Sequence, residues 1–315
     1  MKKILMKTLA LVAAAALLLT GCATNNSNSD ATAAPSAEAT AQATAAAEET
    51  AAPAESADAA TELKGEIMVT GSTSAEPLVS ALADLFMEKN PGVTIAVQGN
   101  GSSAGIKAAT DGSAALGMSS RDLKDEEKGS ITPTTLCMDG IAVVVNKENT
   151  VANLTKDQIA QIFKGEITNW KDVGGPDEEI LIVSREAGSG TRGAFEEICK
   201  LTEKNADGNE VSLVDESKAI IADSTNAVST TVSTKKNAIG YISLGSYDSS
   251  LVTALDVDSV ACTQENIVAG TYSIARPFLL ISGPATDDVA QAFLGYAMSA
   301  EGQAVVAEHK YIPVA

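Results

Sequence analysis

Three loops of small residues carry the chemistry of this sequence: Gly71-Ser72-Thr73-Ser74, Gly99-Asn100-Gly101-Ser102-Ser103 and Gly188-Ser189-Gly190-Thr191. Each runs into a segment that reads as a helix. A helix start leaves backbone N–H groups without partners and carries a partial positive charge of roughly half a unit, while small loop residues let a ligand approach and add hydroxyl donors. Three starts converging on one point would supply on the order of 1.5 positive charges and many donors with no lysine involved. That set suits an oxyanion. Taken singly, each loop also reads as an ordinary helix N-cap. The third is the most specific, because Arg185 ends the strand before it and Arg192 stands just inside its helix, and both are planar donors for an oxyanion.

Charge narrows the partners. The chain has 22 Lys+Arg against 41 Asp+Glu, a net charge of −19. Setting aside Lys2, Lys3, Lys7 and the seven acids between residues 23 and 62 leaves 19 basic against 34 acidic residues, near −15. A diffuse basic surface for nucleic acid or anionic lipid is excluded, so an anion must be caught by local geometry. With His309 as the single histidine, His-rich metal sites are excluded, and neither a metal nor a cofactor is expected. Cys137, Cys199 and Cys262 form no Cys-x-x-Cys spacing and no disulfide framework. Cys199 shares an apolar helical face with Phe195 and Ile198 and reads as a buried thiol.

The elements that must position the loops alternate between strand and helix. A strand over Glu66–Thr70 precedes a helix over Glu76–Lys89, with Pro77 in its first turn, Leu78, Leu82, Leu85 and Phe86 on its apolar face, and a stop at Asn90-Pro91-Gly92. A strand over Val93–Gln98, a helix over Ser103–Thr110 and a strand over Ala114–Met118 complete a βαβαβ unit. Ile141–Val145 is a purely apolar, β-branched run suited to a strand buried on both faces. Thr155 and Gln158 form a capping box for a helix reaching Lys164-Gly165. A strand over Ile180–Val183 leads into the third loop and a helix over Arg192–Lys204, with Lys200 and Lys204 at its C-terminal end. Strands over Ile239–Ser243 and Phe278–Ile281 and helices over Val289–Met298 and Gln303–Glu308 follow. In open α/β sheets ligands sit beyond the carboxyl ends of strands, where all three loops lie.

A rival reading uses the same residues. Gly101-Ser102-Ser103-Ala104-Gly105 satisfies the Gly-x-Ser-x-Gly nucleophile elbow, and His309 lies downstream in the order of an α/β-hydrolase triad. A secreted serine hydrolase with Ser103 and His309 would leave the other two loops unexplained, and no His-Gly-Gly oxyanion motif precedes the elbow.

The N-terminus reads as an address. Lys2, Lys3 and Lys7 precede the apolar run Leu9–Leu19, too short to span a bilayer comfortably. It ends in Leu19-Thr20-Gly21-Cys22, which resembles the bacterial lipobox; that resemblance implies a signal peptide over 1–21, lipidation of Cys22 and an extracytoplasmic, membrane-anchored protein. Residues 23–62 hold no Lys, Arg or aromatic residue and read as a disordered tether of roughly 35 Å mean reach.

Eight stretches together resemble one family: Val69–Leu78, Gly99–Lys107, Gly117–Arg121, Asp139–Asn146, Phe163–Trp170, Ser184–Arg192, Gly240–Gly245 and Arg276-Pro277-Phe278. They are similar to the phosphate-binding lipoprotein of bacterial phosphate ABC importers, the PstS family. The resemblance implies an α/β type II periplasmic-binding-protein fold, two lobes with a ligand cleft between them. Residues 63–140 plus 271–315 would form lobe 1 and 141–270 lobe 2, with crossings near Asp139–Asn146 and Thr271–Ser282. It further implies a monomer that binds inorganic phosphate, serves membrane permease subunits and has no nucleic-acid partner. The family's contacts fall on Thr73, Ser74, Ser102, Arg185, Ser189, Gly190 and Thr191. Where some members place a carboxylate that accepts the phosphate proton, this sequence has Ser120, and Asp139, ahead of the apolar crossing strand, is the substitute acceptor expected here. A carboxylate matters because it rejects sulfate, which has no proton to donate. Two other roles stay open: a receptor for sulfate or molybdate, and a surface lipoprotein with a sensory or adhesive role.

Overall fold

The computed structural model describes residues 62–314. The expected signal peptide, Cys22 and the tether up to residue 61 lie outside them.

The chain opens with β1 (Gly65–Gly71), α1 (Glu76–Lys89), β2 (Val93–Gly99), α2 (Ser102–Asp111) and β3 (Leu116–Ser119), the βαβαβ order expected from periodicity. Next comes β4 (Thr132–Asn146), followed by β5 (Asn153–Leu154), α3 (Lys156–Phe163), β6 (Leu181–Arg185), α4 (Gly190–Ile198), the short strands β7 (Thr202–Lys204) and β8 (Glu210–Ser212), β9 (Ala219–Ala222), α5 (Thr225–Thr234) and β10 (Ala238–Ser243). The chain then runs through β11 (Val252–Ala254), β12 (Asp256–Val257) and α6 (Gln264–Val268) to β13 (Ala275–Ser282), α7 (Asp288–Ala297), α8 (Ala300–Glu308) and β14 (Ile312–Pro313).

Ten strands form one continuous ladder in the order β2-β1-β3-β13-β4-β10-β6-β9, with β11 and β14 also on β4. The strand β4 explains the layout. Its first half pairs with β13 and β14, and its second half, Ile141–Asn146, pairs with β10 and β11. At about 3.4 Å per residue its 15 residues extend roughly 50 Å, enough to serve two cores in succession. One core gathers Ile67, Leu78, Leu82, Phe86, Phe278, Phe293 and Tyr311; the other gathers Ile141–Val145, Phe163, Trp170, Phe195 and Tyr241. Ile141–Val145 is fully buried, which is why no polar residue interrupts it. These are the two lobes of an α/β periplasmic-binding-protein fold, joined by β4 and its antiparallel partner β13.

The helix α4 departs from its expected bounds. It ends at Ile198 rather than Lys204. Lys200 adopts φ 55°, its N–H bonds Glu197 O, and the Leu201 N–H reaches back to Glu196 O at 2.7 Å. This is a Schellman stop with lysine where glycine is usual, held by Leu201, which is buried in the second core. Lys204 consequently lies in β7 and not at a helix end.

Candidate functional site

Each glycine-flanked loop leaves a strand and opens a helix, as the sequence reading requires. β1 leads to α1, where Ser72 Oγ accepts from the Ser74 and Ala75 N–H groups, both at 3.2 Å. β2 leads through Gly101 to α2, which begins at Ser102. β6 leads to α4, where the cap Ser189 accepts from the Arg192 N–H at 3.2 Å and keeps its own hydroxyl proton to give.

These helix starts meet across the lobes. Ser74 Oγ of the first lobe lies 2.7 Å from Thr191 Oγ1 of the second. Ser102 Oγ lies 3.3 Å from Ser120 Oγ and accepts from the Ser120 N–H at 3.1 Å. The Ser103 N–H donates to Gly188 O at 3.1 Å, a backbone bond between the second loop and the third. Gly190 shows how close this approach is, because a Cβ there would lie 2.2 Å from Ser102 Oγ and 2.7 Å from Ser120 Oγ. Gly101 has φ +98° and would place a Cβ 3.2 Å from Gly188 O, so the loop needs glycine for its turn as well as for space.

Arg185 brings the charge. Its buried guanidinium donates from Nη2 to Thr73 Oγ1 at 3.0 Å in the other lobe, and from Nε and Nη2 to both Glu186 carboxylate oxygens at 2.8 Å. Glu186 therefore offsets much of the arginine's charge while fixing its plane. Arg192 differs from its expected use as an oxyanion donor. Its guanidinium is engaged by Glu196, Glu216 and the Arg185 carbonyl, so it braces the end of β6.

Thr73, Ser74, Ser102, Ser120, Arg185, Gly190 and Thr191 are thus tied into linked contacts, and Ser189 caps the helix beside them. Asp139 is placed differently. Fully buried in β4, it accepts from Ser243 Oγ at 2.9 Å and from Arg276 Nη2 at 3.0 Å on β13. No hydrogen bond joins it to the hydroxyl cluster among the described residues. Burial pushes its carboxyl up to about 6, against the pull of Arg276 and Ser243. Arg276 Nη1 is buried without a hydrogen-bond partner.

The hydrolase alternative is not assembled. Ser103 Oγ accepts from Arg121 Nη2 at 3.4 Å, while His309 is the exposed cap at the end of α8. The described residues also hold no cluster of metal-ligating side chains. Beside the cluster a cavity of about 430 Å³ is lined by residues of both lobes, including Ser103, Arg121, Ser189, Arg192 and Glu210.

One cluster member escaped the sequence reading. Thr225 Oγ1 lies 2.8 Å from Ser74 Oγ and accepts from Arg185 Nη1 at 3.3 Å. It opens α5 after β9, with Ser224 as the cap. The available signal was Ser224-Thr225-Asn226 following an apolar run, without the flanking glycines that marked the other three starts.

Comparison with known proteins gives the relatives of this chain. A family model described as a PBP superfamily domain matches residues 34–301. The phosphate-binding protein PstS of Bacillus subtilis is 34% identical over 267 residues, covering 82% of this chain and 84% of that protein. A Clostridium perfringens crystal structure with bound phosphate, attributed to the substrate-binding protein of a phosphate ABC transporter, is 40% identical with a TM-score of 0.74, over 80% of this chain and 100% of that one. An ABC-type phosphate transport receptor from Vibrio cholerae is 39% identical with a TM-score of 0.66, over 79% of this chain and 100% of that one.

Proposed function

The chain belongs to the PstS family of phosphate-binding proteins, and from that premise we propose that it captures inorganic phosphate outside the cytoplasm and delivers it to the permease of an ABC importer. The observation that carries this reading is the meeting of three helix starts, their hydroxyls and one arginine at a single place between the lobes. Such a site holds a tetrahedral oxyanion by many short donors, with one full positive charge that is itself partly balanced.

Thr73, Ser74, Ser102, Ser120, Arg185, Ser189, Gly190 and Thr191 hold the anion in this reading. Contacts from both lobes make the ligand favour the arrangement in which the lobes meet. Asp139 acts from the junction of the lobes, where it holds Arg276 across the two crossing strands. In this reading the protein binds and releases phosphate without chemical turnover, in the manner of a substrate-binding protein. Its anchor is a lipid on Cys22, which labelled fatty acid would mark in the wild type and not in Cys22→Ser.

Calorimetry with phosphate, arsenate, sulfate and molybdate in turn tests the reading. Phosphate is expected to bind one to one and more tightly than sulfate. A preference for sulfate or molybdate, or no binding of any oxyanion, would overturn it.

A further inference from the structure

Thr225 belongs to neither the three glycine-flanked loops nor the positions carried over by resemblance, yet it sits inside their contacts. Thr225 is 2% exposed, and its hydroxyl has cradle groups of both lobes around it: Ser74 Oγ at 2.8 Å, Thr73 Oγ1 at 3.5 Å and Arg185 Nη1 at 3.3 Å. An oxygen atom this close to several donors that share one anion is placed to join them in holding it. From this geometry we propose that Thr225 is a further phosphate-binding residue, giving its hydroxyl proton to a ligand oxygen; the proposal rests on the phosphate reading above.

Proton bookkeeping supports it. Arg185 can only donate, so its contact occupies a lone pair of Thr225 and leaves the threonine proton to point elsewhere. Thr225, Ser74 and Thr191 form a row of three hydroxyls, with separations of 2.8 Å and 2.7 Å. Two hydrogen bonds within that row use two of its three protons, and the third is available to an anion. The row can also turn its lone pairs outward, which gives a hydrogen phosphate proton an acceptor beside the Arg185-bound Glu186. Helix α5 adds to the same effect. Ser224 accepts from the Ala227 N–H, and Thr225 is the first residue of a ten-residue helix, so a fourth helix start faces the other three.

The test compares wild type, Thr225→Val and Thr225→Ser by phosphate calorimetry, with melting in the absence of phosphate as the check on folding. Thr225→Val keeps the shape and removes the hydroxyl; it is expected to bind phosphate about tenfold or more weakly, while Thr225→Ser stays within about threefold of wild type. Should Thr225→Val fail to melt cooperatively, Thr225→Ala is judged by the same criterion. Binding by the hydroxyl-free variant within about twofold of wild type would overturn the proposal and leave the phosphate reading intact, as would equal weakening by the valine and serine variants. A loss that vanishes in an Arg185→Lys background would make Thr225 only a prop for the arginine and overturn direct contact. Wild type that binds no phosphate would overturn both.

Discussion

Arg185 is the full positive charge tied into the hydroxyl cluster, and its surroundings set how that charge is used. The guanidinium is held on one edge by Glu186 and on the other by Thr73 and Thr225, so it is oriented before any anion arrives. Arg185→Ala removes a charge-assisted donor at a desolvated site and leaves Glu186 facing the anion. Phosphate affinity should fall by about 2 to 5 kcal/mol, roughly thirtyfold or more, which titration calorimetry would read. Binding within about twofold of wild type would place the anion elsewhere. Asp139 gives a second expectation at this scale. Its carboxyl titrates near 3.8 when unfolded and near 6 when buried, so between those values the folded state holds one extra proton. This group's contribution to stability is complete below 3.8, declines by about 1.4 kcal/mol per pH unit up to about 6, and is level above that. Denaturant unfolding of wild type and Asp139→Asn across that window should show the wild type losing stability relative to the variant as pH rises, and equal slopes would contradict the assignment. Most of the cluster's residues were legible because each stands at a Gly-Ser-Thr loop after a strand. The partners of Asp139 and Arg192 were not, since side-chain pairing across β4 and β13, or from α4 to Glu216, leaves no local mark in the sequence.

Helix starts are the working elements of this site, and their closeness depends on what each omits. Gly190 lets the first turn of α4 pass against Ser102 and Ser120 of the opposite lobe. In Gly190→Ala the added methyl would lie 2.2 Å from Ser102 Oγ, a contact that forces the two helix starts apart. Overpacking of this kind costs about 1 to 3 kcal/mol and should appear as roughly 5- to 150-fold weaker phosphate binding. Alanine suits a helix better than glycine, so melting without phosphate should hold or rise slightly, and a variant with unchanged affinity would show that the lobes need not approach this closely. The elements were readable where composition punctuates them. α1 ends at Asn90-Pro91-Gly92, and α3 opens on the Thr155/Gln158 box, with bounds close to those read from periodicity. α4 was read too long because its stop uses Lys200 in the left-handed region, where no glycine signals the turn. β9 and α5 went unread for a related reason: exposed Ile220 and Ile221 on a short edge strand, and a helix rich in serine and threonine, give neither a clear period nor strong helix propensity.

At the scale of the whole molecule the cradle works against its own background. The chain carries a net charge of −19, and its ligand at neutral pH is an anion, so the distant field repels what the cleft collects. The two effects separate by range. Beyond a Debye length the ligand meets the summed negative charge, whereas within the last few ångströms it meets helix starts, hydroxyls and Arg185, which salt screens far less because they are buried. Raising ionic strength from about 0.01 M to about 0.15 M shortens the Debye length from roughly 30 Å to roughly 8 Å and removes most of the long-range repulsion. The association rate constant for phosphate should therefore rise with salt, while the dissociation rate, set by contacts inside the cleft, should change little. Steering by a basic surface would give the opposite trend. Stopped-flow measurement of both rates across that range, in a salt whose anion the cleft does not bind, separates the alternatives. An association rate that falls as salt is added would mean that local positive potential at the cleft reaches beyond the acidic surface, and that the repulsive field inferred from net charge does not govern capture.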